Sequence, residues 1–126
     1  MVLEYAENGN LRKYLKTNFV NLTWGEKLWF LENISYNLYI IHKKKYVHKD
    51  LHSGNILQFN DYDAKITDLG LAQSINNSKT SNSSNVCGVL PYIAPEVLDG
   101  NPYTKKSDIY SFGIIMVEVS IGNLLI

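Results

Sequence analysis

Asp50 and Asn55 are the residues of this chain whose types and spacing are best suited to chemistry. They lie five positions apart in His48-Lys49-Asp50-Leu51-His52-Ser53-Gly54-Asn55-Ile56-Leu57, just before an apolar pair. A short loop of this kind leaves one carboxylate to accept a proton while the carboxamide oxygen turns back toward a hard cation such as magnesium, which takes oxygen ligands. Another acid, Asp68, follows in Ile66-Thr67-Asp68-Leu69-Gly70, at the end of a strand-like run and ahead of a glycine that permits a sharp turn. Asp50, Asn55 and Asp68 therefore form one candidate site.

The flanking sequence must position these three side chains. Ile56-Leu57-Gln58-Phe59, a turn at Asn60-Asp61-Tyr62-Asp63, and Ala64-Lys65-Ile66-Thr67 read as a hairpin with Asn55 and Asp68 at its outer ends. Upstream, Thr23-Trp24-Gly25-Glu26 reads as a capping box that starts a long helix running to about Lys43. Leu31, Ile34, Leu38 and Ile41 recur at helical spacing as its buried stripe, and Lys43, Lys44 and Lys45 suit the negative end of the helix dipole. Trp29, Tyr36 and Tyr39 are expected to be packing aromatics. Asn8-Gly9 marks a turn into a short helix over Leu11 to Lys16. Gln73 to Asn85 is rich in Ser and Asn, buries little surface and is expected to be a mobile loop. Pro95 starts a short helix, and the run from Ser107 opens a helix apolar on nearly every side, as a fully buried helix is.

His48-Lys49-Asp50 with Asn55, then Asp68-Leu69-Gly70, then Ala94-Pro95-Glu96 resemble, in order and at similar distances, the signature set of protein kinases. With Met1 to Leu15 resembling a hinge and Tyr103 to Val119 the core helix, the resemblance covers nearly the whole chain. It implies an α+β, mainly helical fold: a partial protein-kinase-like C-terminal lobe, lacking the N-terminal lobe and the last helices. The implied division of residues 1–126 is hinge 1–9, helices 10–45, catalytic loop and hairpin 46–67, activation segment 68–96, and docking turn with core helix 97–126.

The resemblance also implies roles. The reaction would transfer a phosphoryl group from ATP, with Mg2+, to a protein serine or threonine hydroxyl, or to tyrosine. Asp50 would take the hydroxyl proton, and Asn55 and Asp68 would hold the metal. The backbone of Glu4 and Ala6 would meet the adenine edge, with Leu3 behind it, Leu57 beneath it and Asn10 near the ribose. His48 would pack internally with Leu69, and Asp108 would brace the backbone of the catalytic loop. The loop from Gln73 would be the activation segment, where phosphate on Ser74, Ser78, Thr80, Ser81, Ser83 or Ser84 would pair with Lys49.

Four positions depart from the family pattern: Lys49 stands for Arg, Leu69 for Phe, His52 where many Ser/Thr kinases carry Lys, and Val89 where they carry Thr. No glycine-rich phosphate loop or V-A-I-K lysine precedes Leu3, so the expectation for these residues alone is an inactive fragment with exposed apolar surface. The alternative function is a pseudokinase-like protein-interaction module. A further reading makes His48, Asp50 and His52 a metal site, because alternate residues of an extended strand face one way.

Composition bounds the rest. The 126 residues are 45% hydrophobic, enough for one domain with a modest core. Zero formal charge suggests no steering toward nucleic acid or an anionic membrane. Cys87 is the single cysteine, which excludes an internal disulfide. Acids near Met1 are unlike a signal peptide, and Glu118 within the apolar run from Ile109 argues against a membrane span. An intracellular, cytoplasmic setting is expected, with ATP and a protein substrate as partners.

Overall fold

A computed structural model of the chain describes residues 9–58, 64–67, 73–74 and 91–122. Helices predominate among them, accompanied by two small two-stranded sheets. Asn10 starts α1 (Leu11–Asn18) by accepting the Lys13 amide on its side chain at 2.9 Å, which satisfies one of the donors left open at a helix N-terminus. The helix runs two residues beyond the expected Lys16 and buries Leu11 and Leu15. A 3-10 turn, Phe19–Asn21, leads to α2 (Trp24–Lys43).

Thr23 caps α2 by accepting the Glu26 amide at 3.1 Å. The box is incomplete, because the Glu26 carboxylate accepts from the Thr23 hydroxyl instead of returning to its backbone amide. Leu31, Ile34 and Leu38 are buried as their spacing predicts, joined by Phe30, while Ile41 is only half-buried at the margin. The aromatics correct the expectation: Trp29, Tyr36 and Tyr39 all point to solvent. Their positions fall on the face of α2 opposite the core stripe.

Lys27 is the unexpected core residue of α2, 6% exposed. Its ammonium lies 4.1 Å from the Phe19 ring centroid and 4.5 Å from that of Trp24, and donates to the Ser120 carbonyl at 3.4 Å. Two ring faces and a carbonyl near a helix C-terminus replace part of the hydration that the cation loses.

After α2, β1 (Tyr46–Val47) enters the loop that carries Asp50, and the 3-10 turn Ser53–Asn55 leaves it. The hairpin is present as β2 (Ile56–Gln58) and β3 (Ala64–Ile66), antiparallel with Ile56 opposite Ile66. Its turn lies outside the described residues. Gln73–Ser74 forms β4, antiparallel to β1, so the expected loop begins with two residues of strand. Backbone pairing with Tyr46 and Val47 outweighs the loop-forming composition there.

Pro95 opens α3 (Pro95–Leu98), and Thr104 and Ser107 cap α4 (Lys105–Ile121) reciprocally. Ile115 and Val119 enter the core beside Leu11, Phe30, Ile34 and Leu51. Ile109, Tyr110, Met116, Val117 and Ile121 are exposed among the described residues, so the all-round apolar character of α4 meets the exposed apolar surface expected of these residues alone, not burial on every side. Gly122 ends α4 in the left-handed region at φ 95°. A Cβ there would come within 2.9 Å of the Phe19 ring, so glycine serves both the backbone angle and the close approach.

Candidate functional site

The loop that carries Asp50 is held from three directions. From below, Asp108 on α4 accepts the His48 amide at 2.7 Å on Oδ2 and the Lys49 amide at 3.1 Å on Oδ1. Lys49 sits at φ 78°, which costs a residue with a side chain about 1 kcal/mol or more. The two charge-assisted bonds to Asp108 offset that cost and impose the turn. Asp108 is itself buried, and its Oδ2 also lies 2.9 Å from His42 Nε2 at the end of α2. One carboxylate thus joins two helices and the loop.

Within the loop, His48 is fully buried and uses both ring nitrogens. Nδ1 accepts the Asp50 amide at 3.1 Å, which places the proton on Nε2 for donation to the Thr67 carbonyl at 2.9 Å. The Thr67 amide in turn donates to the Asn55 carbonyl at 2.8 Å. These bonds tie the loop to the end of β3, next to Asp68 in the chain. They also leave His48 no nitrogen for a cation, which removes the basis for the His48, Asp50 and His52 metal reading.

Asn55 commits its side-chain nitrogen to Asp50, donating to the backbone carbonyl at 2.6 Å and to Oδ2 at 3.2 Å. The carboxamide oxygen is then the end able to ligate, and an oxygen donor of this type suits a hard cation. Asp50 and Asn55 are therefore brought together as their spacing predicts. Asp68, the other ligand expected from the sequence, lies outside the described residues, as do Leu3, Glu4, Ala6 and Leu69. Leu57 is half-buried and bridges to Asn10, while the Gln58 amide donates to the Gly9 carbonyl at 2.7 Å. The Asn10 side-chain oxygen, expected near a ribose, is engaged in capping α1.

On the side toward α4, a buried polar chain runs beneath the loop. The Ser53 hydroxyl accepts from Arg12 Nε at 3.2 Å and donates to Glu118 Oε2 at 2.8 Å. The Tyr92 hydroxyl donates to Glu118 Oε1 at 2.5 Å. Burial, reinforced by the hydrogen bond to Glu118 and its charge, pushes the Tyr92 hydroxyl above the usual phenol range. Sequence reasoning did not assign Arg12, Ser53, Tyr92 or His42 to this framework. Glu118 alone carried a signal, as a carboxylate within an apolar helix. A shallow pocket beside Asp50 is lined by Lys49, Leu51, Tyr92, Ile93, Tyr103 and Ser111. The Lys49 ammonium stands 5.3 Å from the Tyr103 ring centroid.

The Asp50 carboxylate thus lies beside the Asn55 carboxamide, on a loop braced by the buried Asp108. Residues 1–123 match the family model described as protein tyrosine and serine/threonine kinase, and the chain belongs to that family. It is 39% identical, over 97% of its length, to MDIS1-interacting receptor like kinase 2 of Arabidopsis thaliana, of which it spans 12%. It is 36% identical, over 94% of its length, to a probable serine/threonine-protein kinase of Dictyostelium discoideum, again spanning 12%. A probable receptor-like protein kinase of Arabidopsis thaliana is 35% identical over 97% of this chain, which spans 26% of that protein. Among the described residues, no helix is long and apolar enough to cross a membrane.

Proposed function

We propose that this chain forms the catalytic-loop half of a protein kinase that transfers the terminal phosphoryl group of ATP to a protein serine or threonine hydroxyl inside the cell, tyrosine being the other acceptor open to it. The observation that carries the reading is the pair of hydrogen bonds from the Asn55 carboxamide nitrogen to Asp50, which hold the acid in place and leave the carboxamide oxygen as the end able to ligate. Asp50 orients the attacking hydroxyl and accepts its proton. Asn55 and Asp68 are the residues that would hold magnesium, which when bound neutralises phosphate charge. Glu4 and Ala6 would present backbone groups to the adenine, with Leu3, Leu57 and Asn10 lining the nucleotide.

In this reading residues 1–9 are the hinge, 10–45 the scaffold helices, 46–67 the catalytic loop and hairpin, 68–96 the activation segment, and 97–126 the docking turn and core helix. The chain is then the main part of a larger lobe. Translating the nucleotide sequence upstream of Met1 tests this, the expected find being G-x-G-x-x-G followed by V-A-I-K.

The activity itself is tested by phosphate transfer from ATP in the full-length protein that carries these residues. Asp50→Asn is expected to abolish transfer while leaving nucleotide binding largely intact. Undiminished transfer in that variant refutes the role of Asp50. Nucleotide-independent protein binding with no transfer in the parent supports the interaction-module alternative instead.

A further inference from the structure

Asp50 presents one carboxylate oxygen to Asn55, but the other is unusual. Oδ1 is a buried oxygen with no hydrogen-bond partner among the described residues. His52 Nε2 lies 3.5 Å from it, slightly longer than a good hydrogen bond. Both side chains are largely enclosed, with 13% of His52 and 15% of Asp50 exposed.

The imidazole is held by independent contacts. His52 Nδ1 accepts the Gly54 amide at 3.1 Å, so the proton of the neutral ring resides on Nε2, the nitrogen that faces Asp50. The ring also lies with its centroid 5.7 Å from that of Tyr92, tilted by 44°, and Tyr92 is joined to Glu118. It lies so close over Gly54 that a Cβ there would meet His52 Cε1 at 2.8 Å and Nδ1 at 2.9 Å. Gly54 thus supplies both the amide that selects the tautomer and the space that the ring occupies. An apolar ring in this place would take from Oδ1 the imidazole N–H as a donor to turn toward, and an unpaired buried carboxylate oxygen is costly.

We propose that His52 is a positioning residue for Asp50: its Nε2–H closes onto Oδ1 when substrate is bound and, with Asn55 on Oδ2, fixes the carboxylate plane for proton acceptance. Catalytic hydrogen bonds are often long before substrate arrives, and the 3.5 Å gap has that character. The inference rests on the phosphoryl-transfer reading of Asp50. It places at position 52 a neutral donor whose direction is set by the backbone amide of Gly54.

His52→Asn isolates the effect, because the asparagine oxygen can take the Gly54 amide while no donor reaches Asp50. In the full-length kinase this variant is expected to lose roughly tenfold to a hundredfold in kcat with little change in KM, the signature of a misplaced reacting group. Gly54→Ala, which pushes the ring aside without removing it, is expected to lose kcat in the same way. His52→Gln, whose longer amide can again donate to Oδ1, is expected to recover part of the loss. A kcat equal to the parent in His52→Asn overturns the proposal, provided Asp50→Asn is inactive; transfer surviving in Asp50→Asn sinks the phosphoryl-transfer reading instead. Should His52→Asn fail to fold, nitrogen-15 NMR of the parent protein and of Asp50→Asn decides. A protonated Nε2 whose resonance shifts in Asp50→Asn supports the contact, and a proton on Nδ1 or an unmoved resonance overturns it.

Discussion

Tyr92 and Glu118, 26 residues apart in sequence, share a hydrogen bond of 2.5 Å in a place where they are 2% and 3% exposed. The phenol keeps its proton more tightly in the fold than in the unfolded chain, since burial and the neighbouring carboxylate both disfavour the phenolate.

Stability at alkaline pH follows from that relationship. A raised folded-state pKa means that the unfolded chain binds fewer protons above about pH 10, so stability falls as pH rises there. Below that value the contribution is complete and flat. Urea unfolding between pH 8 and 11 is expected to show this decline, and Tyr92→Phe to reduce its slope. At neutral pH the same variant is expected to lose about 1 to 2 kcal/mol, because Glu118 Oε1 forfeits its donor.

Lys27 makes a separate prediction about how α2 holds the end of α4. Lys27→Met keeps most of the aliphatic stem but removes the cation from between Phe19 and Trp24 and from the Ser120 carbonyl. A loss of about 1 kcal/mol is expected, read as a lower urea midpoint at unchanged slope. A gain in stability would show that desolvation of the ammonium outweighs its ring and carbonyl contacts.

Gly122 is constrained twice, by its left-handed backbone and by the Phe19 ring. Gly122→Ala is expected to cost about 2 kcal/mol in chemical denaturation. Combining it with Phe19→Ala should recover the steric part and leave the backbone part, which separates the two causes.

Asp108→Ala removes the acceptor of two backbone amides and the partner of His42. A destabilisation of about 3 kcal/mol or more is expected, since buried donors are left unpaired. Hydrogen exchange should locate the damage at the His48 and Lys49 amides, and uniform protection in the variant would contradict that placement.

Local pattern carried much of this architecture, and long-range pairing carried the rest. The Thr23 cap, the Leu31, Ile34 and Leu38 stripe and the hairpin strands depend on neighbours within a few residues, so their signals are legible in sequence. The outward direction of Trp29, Tyr36 and Tyr39 was not, because aromatic character says nothing of which helix face meets a neighbour. Pairing of Gln73–Ser74 with Tyr46–Val47 was hidden in the same way by a polar composition. In the candidate site, Asp50 and Asn55 were readable from spacing, whereas the Arg12, Ser53, Glu118 and Tyr92 chain draws on four distant segments. Asp108 entered only through family resemblance.

The tie between α4 and the loop sets an order on biosynthesis. A ribosome releases the chain from its amino end, and the amides of His48 and Lys49 emerge 60 and 59 residues ahead of the carboxylate that receives them. Until that acid has cleared the exit tunnel, Lys49 has little reason to hold its left-handed turn, and Asp50 has no fixed aim. The nascent polypeptide is therefore expected to form α1 and α2 first and the bend at Lys49 last, once the α4 acid that braces it has emerged.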